Sequence, residues 1–395
     1  MSASTGSRTT ARDKRAEPFA HLTAPAFSLL SLLMFVLAAL IAALLQQADA
    51  LRQIGFSGTS VPDAESLTLT TRLFWQHPGW PTQQLWTYLG VLIVYGVAVV
   101  QHSTALLLTI NVIILWFAAH VFAAALTVDV GPHRARAMAL GGVVVVGTNV
   151  YILEVLAFAN KEVPLILLTN CVVYLAVYRQ QIVGAILVAA SAYIFRDGYS
   201  IILIAALGLT VMRDLLGRST VLIVVAVITA LLALLPASEI ASLDPAIMRN
   251  VGIGEVMVGD KFESALPGVS YLTRLAGTAL NLGFRPQVFD TQFNFYLLGF
   301  GFWQIGVLII TGTVAAAITL ADRSKAGQVA LIVILTLLGV SYSTFVQPRY
   351  MMPLIFWLLA LTTKLGRWTW PIVLLCMVAP LGFGLMSALP PLAVS

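Results

Sequence analysis

Apolar runs close to the twenty or so residues that cross a bilayer as a helix recur along this chain from one end to the other. They fall at about 27–45, 86–101, 104–127, 138–159, 163–178, 181–195, 199–212, 219–236, 296–320, 327–346, 351–363 and 369–388. With 59% hydrophobic and 10% charged residues, the chain lies far outside the usage of soluble domains. An all-α polytopic membrane protein is the expected class, because lipid offers no partner to backbone polar groups and a helix satisfies its own. The formal net charge of +5 comes from scattered basic residues, which argues against a nucleic-acid partner. Cys171 and Cys376 both sit inside apolar runs and give neither a disulfide framework nor a metal-ligand spacing.

The first residues, 1–24, form a basic tail with Arg8, Arg12, Lys14 and Arg15. The apolar run behind it is long for a signal-peptide core and ends in Gln46-Gln47-Ala48-Asp49, so it reads as a retained first helix with a cytoplasmic leader. Residues 25–395 then form a single transmembrane domain with two long external loops, about 49–103 and 237–295. Phe74, Trp75, Trp80 and Trp86 in the first loop are expected on short interfacial helices at headgroup depth.

The run at 86–101 decides the topology. If it lies in the interface, or dips in and returns, the short loops with Arg134 and Arg136, Arg179, Arg213 and Arg218, Arg323 and Lys325, and Lys364 and Arg367 all face the cytoplasm. If it spans, every later loop inverts and the basic loops are pushed outside. The first arrangement satisfies the positive-inside rule and leaves about eleven transmembrane helices.

Three charged clusters then share the external face: Asn160-Lys161-Glu162, Arg196-Asp197-Gly198-Tyr199, and Gln347-Pro348-Arg349-Tyr350. A charge at the edge of a long apolar segment costs several kcal/mol unless it reaches water, a partner or a ligand. Structural alternatives stand beside each: Lys161 with Glu162 as a neutralising pair, Arg196 with Asp197 as a self-paired turn, Arg349 and Tyr350 as an interfacial anchor. The first loop adds Asp63 and Glu65, as a base or as helix caps, and the second adds Arg285. Glu154 falls inside an apolar run and must face the bundle interior or be protonated. His102, His120 and His133 are scattered and make no metal cluster.

A lone carboxylate near the membrane surface can take a proton from a hydroxyl acceptor, while Arg and Lys hold a phosphate leaving group. The order of parts resembles the GT-C superfamily of integral membrane glycosyltransferases, which includes protein mannosyltransferases and aminoarabinose transferases and is similar in outline to bacterial polysaccharide polymerases. The parts are a first helix, a loop with Asp63-Ala64-Glu65, the basic His133-Arg134-Ala135-Arg136, Phe158-Ala159-Asn160-Lys161-Glu162-Val163-Pro164-Leu165 before an apolar helix, and a late Arg349-Tyr350-Met351-Met352-Pro353. The resemblance implies Asp63 or Glu65 as catalytic base and Glu162 as second acid, with Arg349 and Tyr350 on the donor phosphate. Lys161, Arg196, Asp197 and Arg285 join them as substrate contacts. Ala64 separates two acids that often adjoin in the family, and Lys161 beside Glu162 looks more like the polymerase-type members.

The implied donor is a sugar on polyprenyl phosphate or pyrophosphate, the acceptor a glycan or lipid-linked hydroxyl, and the location a bacterial inner membrane with a periplasmic site. No cofactor is required, and a divalent metal on the phosphate is compatible. The rival class is a transporter or flippase of lipid-linked saccharides, which uses intramembrane charge and broken helices for another purpose.

Overall fold

A computed structural model describes residues 22–47, 68, 71–73, 85–216, 220, 223–224, 226–227, 295–320, 322, 324–341, 348–369 and 371. Asp63, Glu65 and Arg285 lie outside them, as do most of both long loops. Every regular element among the described residues is helical. In chain order these are α1 (Ala24–Gln47), α2 (Leu85–Val100), α3 (Thr104–Val130), α4 (Pro132–Thr148), α5 (Val150–Leu156), α6 (Glu162–Val173), α7 (Ile182–Ser191), α8 (Asp197–Leu216), α9 (Phe295–Thr319), α10 (Lys325–Ser341) and α11 (Ile355–Thr362). A π turn, Tyr174–Tyr178, extends α6, and 3-10 turns cover Ala192–Ile194, Pro348–Leu354 and Thr363–Trp368.

Local chemistry sets the boundaries. Thr23 and Ser103 open α1 and α3 by accepting from the backbone N–H of Ala26 at 3.3 Å and Leu106 at 3.2 Å. Gly131 turns the chain at φ +80°, a conformation that suits glycine, and Pro132 then starts α4 at a position where a missing N–H costs nothing. The basic His133–Arg136 segment is therefore the first helical turn of α4 and not a separate loop. Similarly, the expected single helix over 138–159 is two helices, because Asn149 adopts an extended conformation (φ −72°, ψ 119°) and its side chain caps α5 at the N–H of Ile152. The expected start of the last described helix near 351 also shifts: Pro348–Leu354 is a 3-10 segment, with Pro353 inside it, and α11 begins at Ile355.

The basic segments gather at one end of the bundle. Arg136 donates to the carbonyl of Leu22 at 2.9 Å, which places the start of α1 beside the start of α4. At the close of α3, Asp129 meets Lys325 at 3.7 Å, and the Lys325 ammonium stands 5.1 Å from the centroid of the Tyr178 ring at the end of the π turn. Arg213 of α8 donates to the carbonyls of Leu320 and Asp322 between α9 and α10. Since α1 starts and α3 finishes at this end, the chain between them leaves and re-enters the opposite end. In that interval α2 packs antiparallel along α3, joined through the turn at Gln101-His102-Ser103.

Among the described residues, two helices, Ala24–Leu44 and Thr104–Val130, are long and apolar enough to cross a membrane. The outward surface of several helices is apolar: Leu44, Val97, Val183 and Ile318, on α1, α2, α7 and α9, are between 64% and 74% exposed. Inside, Phe122 of α3 meets the Phe356 and Trp357 rings of α11 at centroid distances of 5.1 and 4.9 Å.

Glycines let two helix pairs approach closely. A Cβ at Gly142 would stand 2.5 Å from the Phe356 ring, and one at Gly312 would stand 2.7 Å from Leu358 Cδ2 and 3.1 Å from its Cα. Gly312→Val should lower stability by about 1–3 kcal/mol through overpacking. Gly208→Ala in α8, where an added Cβ meets nothing within 4 Å, should be neutral or stabilising. Thermal unfolding of the purified variants checks both.

Candidate functional site

The opposite end holds the charged clusters, and a gap in the helical backbone organises them. Between α5 and α6 the chain leaves orphan carbonyls on one side and orphan N–H groups on the other. Two asparagines serve both. Asn160 donates to the carbonyls of Val155 and Phe158, each at 3.1 Å, while its own carbonyl oxygen accepts from the N–H of Val163 at 2.9 Å. Asn111, on α3, donates to the carbonyls of Leu156 at 2.8 Å and Phe158 at 3.2 Å. The Asn111 oxygen in turn accepts from Asn160 at 3.1 Å and from the Tyr95 hydroxyl of α2 at 2.6 Å. All three side chains are fully buried. Only a side chain with both a donor and an acceptor can close a gap in this way.

Glu162 follows immediately as the first residue of α6, where the positive end of the helix dipole favours a carboxylate. Pro164 fits the same first turn, since its missing N–H is one that the helix leaves orphaned. Glu162 is only 6% exposed. Its Oε2 accepts from the N–H of Lys161 at 3.2 Å, and its Oε1 lies 3.7 Å from Arg196 Nη2. That separation makes an ion pair and exceeds a direct hydrogen bond.

Arg196 is held from the other side. Its N–H donates to Ala192, the neighbouring Phe195 packs on α2 where a Cβ at Gly90 would lie 2.8 Å from the ring, and α8 begins at once with Asp197. One turn into α8, the Tyr199 hydroxyl meets the Thr169 hydroxyl of α6 at 3.1 Å, and Ser200 donates to the Ala189 carbonyl at 2.7 Å. These bonds fasten α8 to α6 and α7 beneath the pair.

Two of the three clusters therefore meet directly, and in a manner the sequence reading did not favour. Arg196 of the second cluster pairs with Glu162 of the first across the bundle. The side chains of Asp197, Glu154, Arg349 and Tyr350 lie outside the described set. The backbone of the third cluster is placed: Pro348–Leu354 packs along α6, and Trp357 beyond it stacks on Tyr178 at the far end of α6, at 5.9 Å. Arg349 and Tyr350 thus precede that contact on the side of α6 where Glu162 stands. From the first loop, Thr68 Oγ1 accepts from the N–H of Ala159 at 3.3 Å. That bond ties the chain just after Asp63 and Glu65 to the α5–α6 gap.

The site is recessed. Asn111 lies about 10 Å along α3 from Thr104, at about 1.5 Å per residue, and the α2–α3 hairpin rises beyond it as a wall. Among the described residues, no three His, Cys, Asp or Glu side chains gather as a metal-binding group. Comparison of the chain with protein-family models, curated proteins and solved structures gives no match.

Tyr95 and Asn111 escaped the sequence reading, which followed formal charges. The available signal was an amide in the middle of the run Leu106–Leu115, as anomalous in an apolar helix as a charge is. Asn160→Ala should cost about 1–3 kcal/mol, because the buried N–H of Val163 loses its acceptor. Tyr95→Phe should cost about 0.5–1.5 kcal/mol, and the pair should be non-additive because both bond Asn111. Equilibrium unfolding of the single and double variants measures this.

Proposed function

We propose that this chain is a polytopic membrane glycosyltransferase or polysaccharide polymerase of GT-C-like architecture, acting at the external face of a bacterial inner membrane. The exposed apolar residues on α1, α2, α7 and α9 support a lipid surround, since a soluble monomer seldom exposes contiguous apolar surface on this scale. The gathering of Arg136, Arg213 and Lys325 at one end supports a cytoplasmic assignment for that end. The opposite end is then periplasmic.

The observation that carries the reading is the ion pair between buried Glu162 and half-buried Arg196, at the end where the first loop docks through Thr68. Arg196, with Lys161 and the backbone-placed Arg349 and Tyr350, offers the cationic hold that a polyprenyl phosphate or pyrophosphate needs. Asp63 or Glu65 takes the proton of an acceptor hydroxyl, the acceptor oxygen bonds to the anomeric carbon, and the carbon–oxygen bond to phosphate breaks. The lipid phosphate departs with the electron pair, its charge met by the cations. Glu162 keeps Arg196 aligned when the site is empty.

The transporter reading draws support from the interruptions at Asn149 and Asn160, since discontinuous helices mark many transporter sites. The two readings part in a glycan-formation assay on membranes with matched expression of Asp63→Asn, Glu65→Gln, Glu162→Gln, Arg196→Gln and Arg349→Gln. Transfer should fall about 100-fold or more for whichever first-loop acid is the base, and strongly for Arg196 and Arg349. Full activity in all five overturns the enzyme reading. Intact sugar linkage with lipid-linked saccharide stranded in the cytoplasmic leaflet establishes the transporter.

A further inference from the structure

A half-buried arginine such as Arg196, 22% exposed, is stabilised by a nearby counter-charge whether or not a substrate is present. Glu162 supplies one, and its geometry is that of a partner that can be displaced. The Glu162 Oε1 to Arg196 Nη2 separation of 3.7 Å is looser than the 2.7–2.9 Å of a charge-assisted hydrogen bond. The other carboxylate oxygen is held independently by the Lys161 N–H at 3.2 Å, at the N-terminus of a twelve-residue helix. The carboxylate thus keeps favourable surroundings of its own when the guanidinium turns away. The gap behind it does not move with it, because Asn160 and Asn111 are bonded to the backbone of both flanking helices.

We propose that Glu162 is a resident counter-anion: it occupies Arg196 in the empty site and yields the guanidinium to the phosphate of a lipid-linked ligand. This rests on the transferase reading for the identity of the ligand, and it adds a regulatory role to the same site. The trade exchanges one negative partner of Arg196 for another, so ligand binding does not leave the guanidinium without a counter-charge. Binding of the phosphate must overcome the pull of Glu162, which makes the resting affinity lower than the cations alone would set. Bidentate guanidinium–phosphate geometry favours the incoming ligand over an ion pair at 3.7 Å.

The test is direct binding to the purified full-length protein, using farnesyl phosphate as the probe, inorganic phosphate as the headgroup alone and farnesol as the chain alone. Glu162→Gln should tighten farnesyl phosphate by tenfold or more, the direction opposite to loss of a binding residue, and leave farnesol unchanged. Tightening of inorganic phosphate by the same factor shows that the headgroup makes the exchange; tightening confined to farnesyl phosphate shows that the exchange needs the lipid-held orientation. Arg196→Gln should weaken phosphate binding, and the double variant Glu162→Gln/Arg196→Gln, which removes both charges together and leaves neither unpaired, should bind no better than Arg196→Gln. Unchanged or weaker binding by folded Glu162→Gln overturns the proposal, as does a double variant that binds as tightly as Glu162→Gln. If the wild-type protein binds farnesyl phosphate and loses transfer on substitution of Arg196 while Glu162→Gln fails to tighten, the exchange is wrong and the transferase stands. If wild type and Glu162→Gln both ignore farnesyl phosphate, the exchange and the ligand assignment fall together.

Discussion

The gap between α5 and α6 must have its backbone groups bonded inside the protein, and the rest of the candidate site depends on that requirement. Two helix ends meet there with carbonyls and N–H groups that no helix can serve, in a region where Asn160 and Asn111 are fully buried. Each asparagine donates and accepts at once, and both reach across from different parts of the chain. Glu162 gains its place from this. It begins α6 because Asn160 has already taken the N–H of Val163, and it faces Arg196 because α7 and α8 are held against α6 by Tyr199, Thr169 and Ser200.

The two ends of the bundle are chemically unlike for a related reason. At the Arg136 end, cations bond to backbone carbonyls or to Asp129 near the surface, where Asp129 and Lys325 side chains remain 34% and 30% exposed. Such pairs are worth little individually but fix which ends of α1, α3, α8 and α10 lie together. At the Glu162 end the ionic contact is more enclosed, with the Glu162 and Arg196 side chains 8% and 22% exposed, and removal of one partner should be more costly than removal of both. The first end orders the fold; the second carries the proposed site.

Much of this was legible in the sequence, and what escaped has identifiable causes. Apolar run length located helices at 104–127, 163–178 and 296–320 to within a few residues, and the distribution of Arg and Lys anticipated which segments share an end. Charge in apolar context singled out Glu162 and Arg196 but not their mutual contact, since a residue separation across α6 and α7 says nothing about which way two side chains turn. Asn149 was hidden because one asparagine in a long apolar run does not disrupt hydrophobic periodicity, although it supplies the cap that lets a helix restart. Tyr95 and Asn111 were hidden because neither bears a charge. Asp63, Glu65 and Arg285 fall outside the described residues, so their part in the site rests on the resemblance and on the docking of Thr68.

The asparagine clasp also imposes an order on biosynthesis. Asn111 leaves the ribosome 45 residues ahead of Leu156, whose carbonyl its amide serves. During that interval the newly made α2–α3 hairpin carries a polar group whose Tyr95 contact uses the oxygen and leaves the amide nitrogen unserved. On the proposed membrane reading, release of the hairpin into lipid before residue 160 emerges would bury that nitrogen without a partner. The nascent chain is then best retained beside its insertion machinery until α5 has followed, which makes the loop after α5 a checkpoint in assembly.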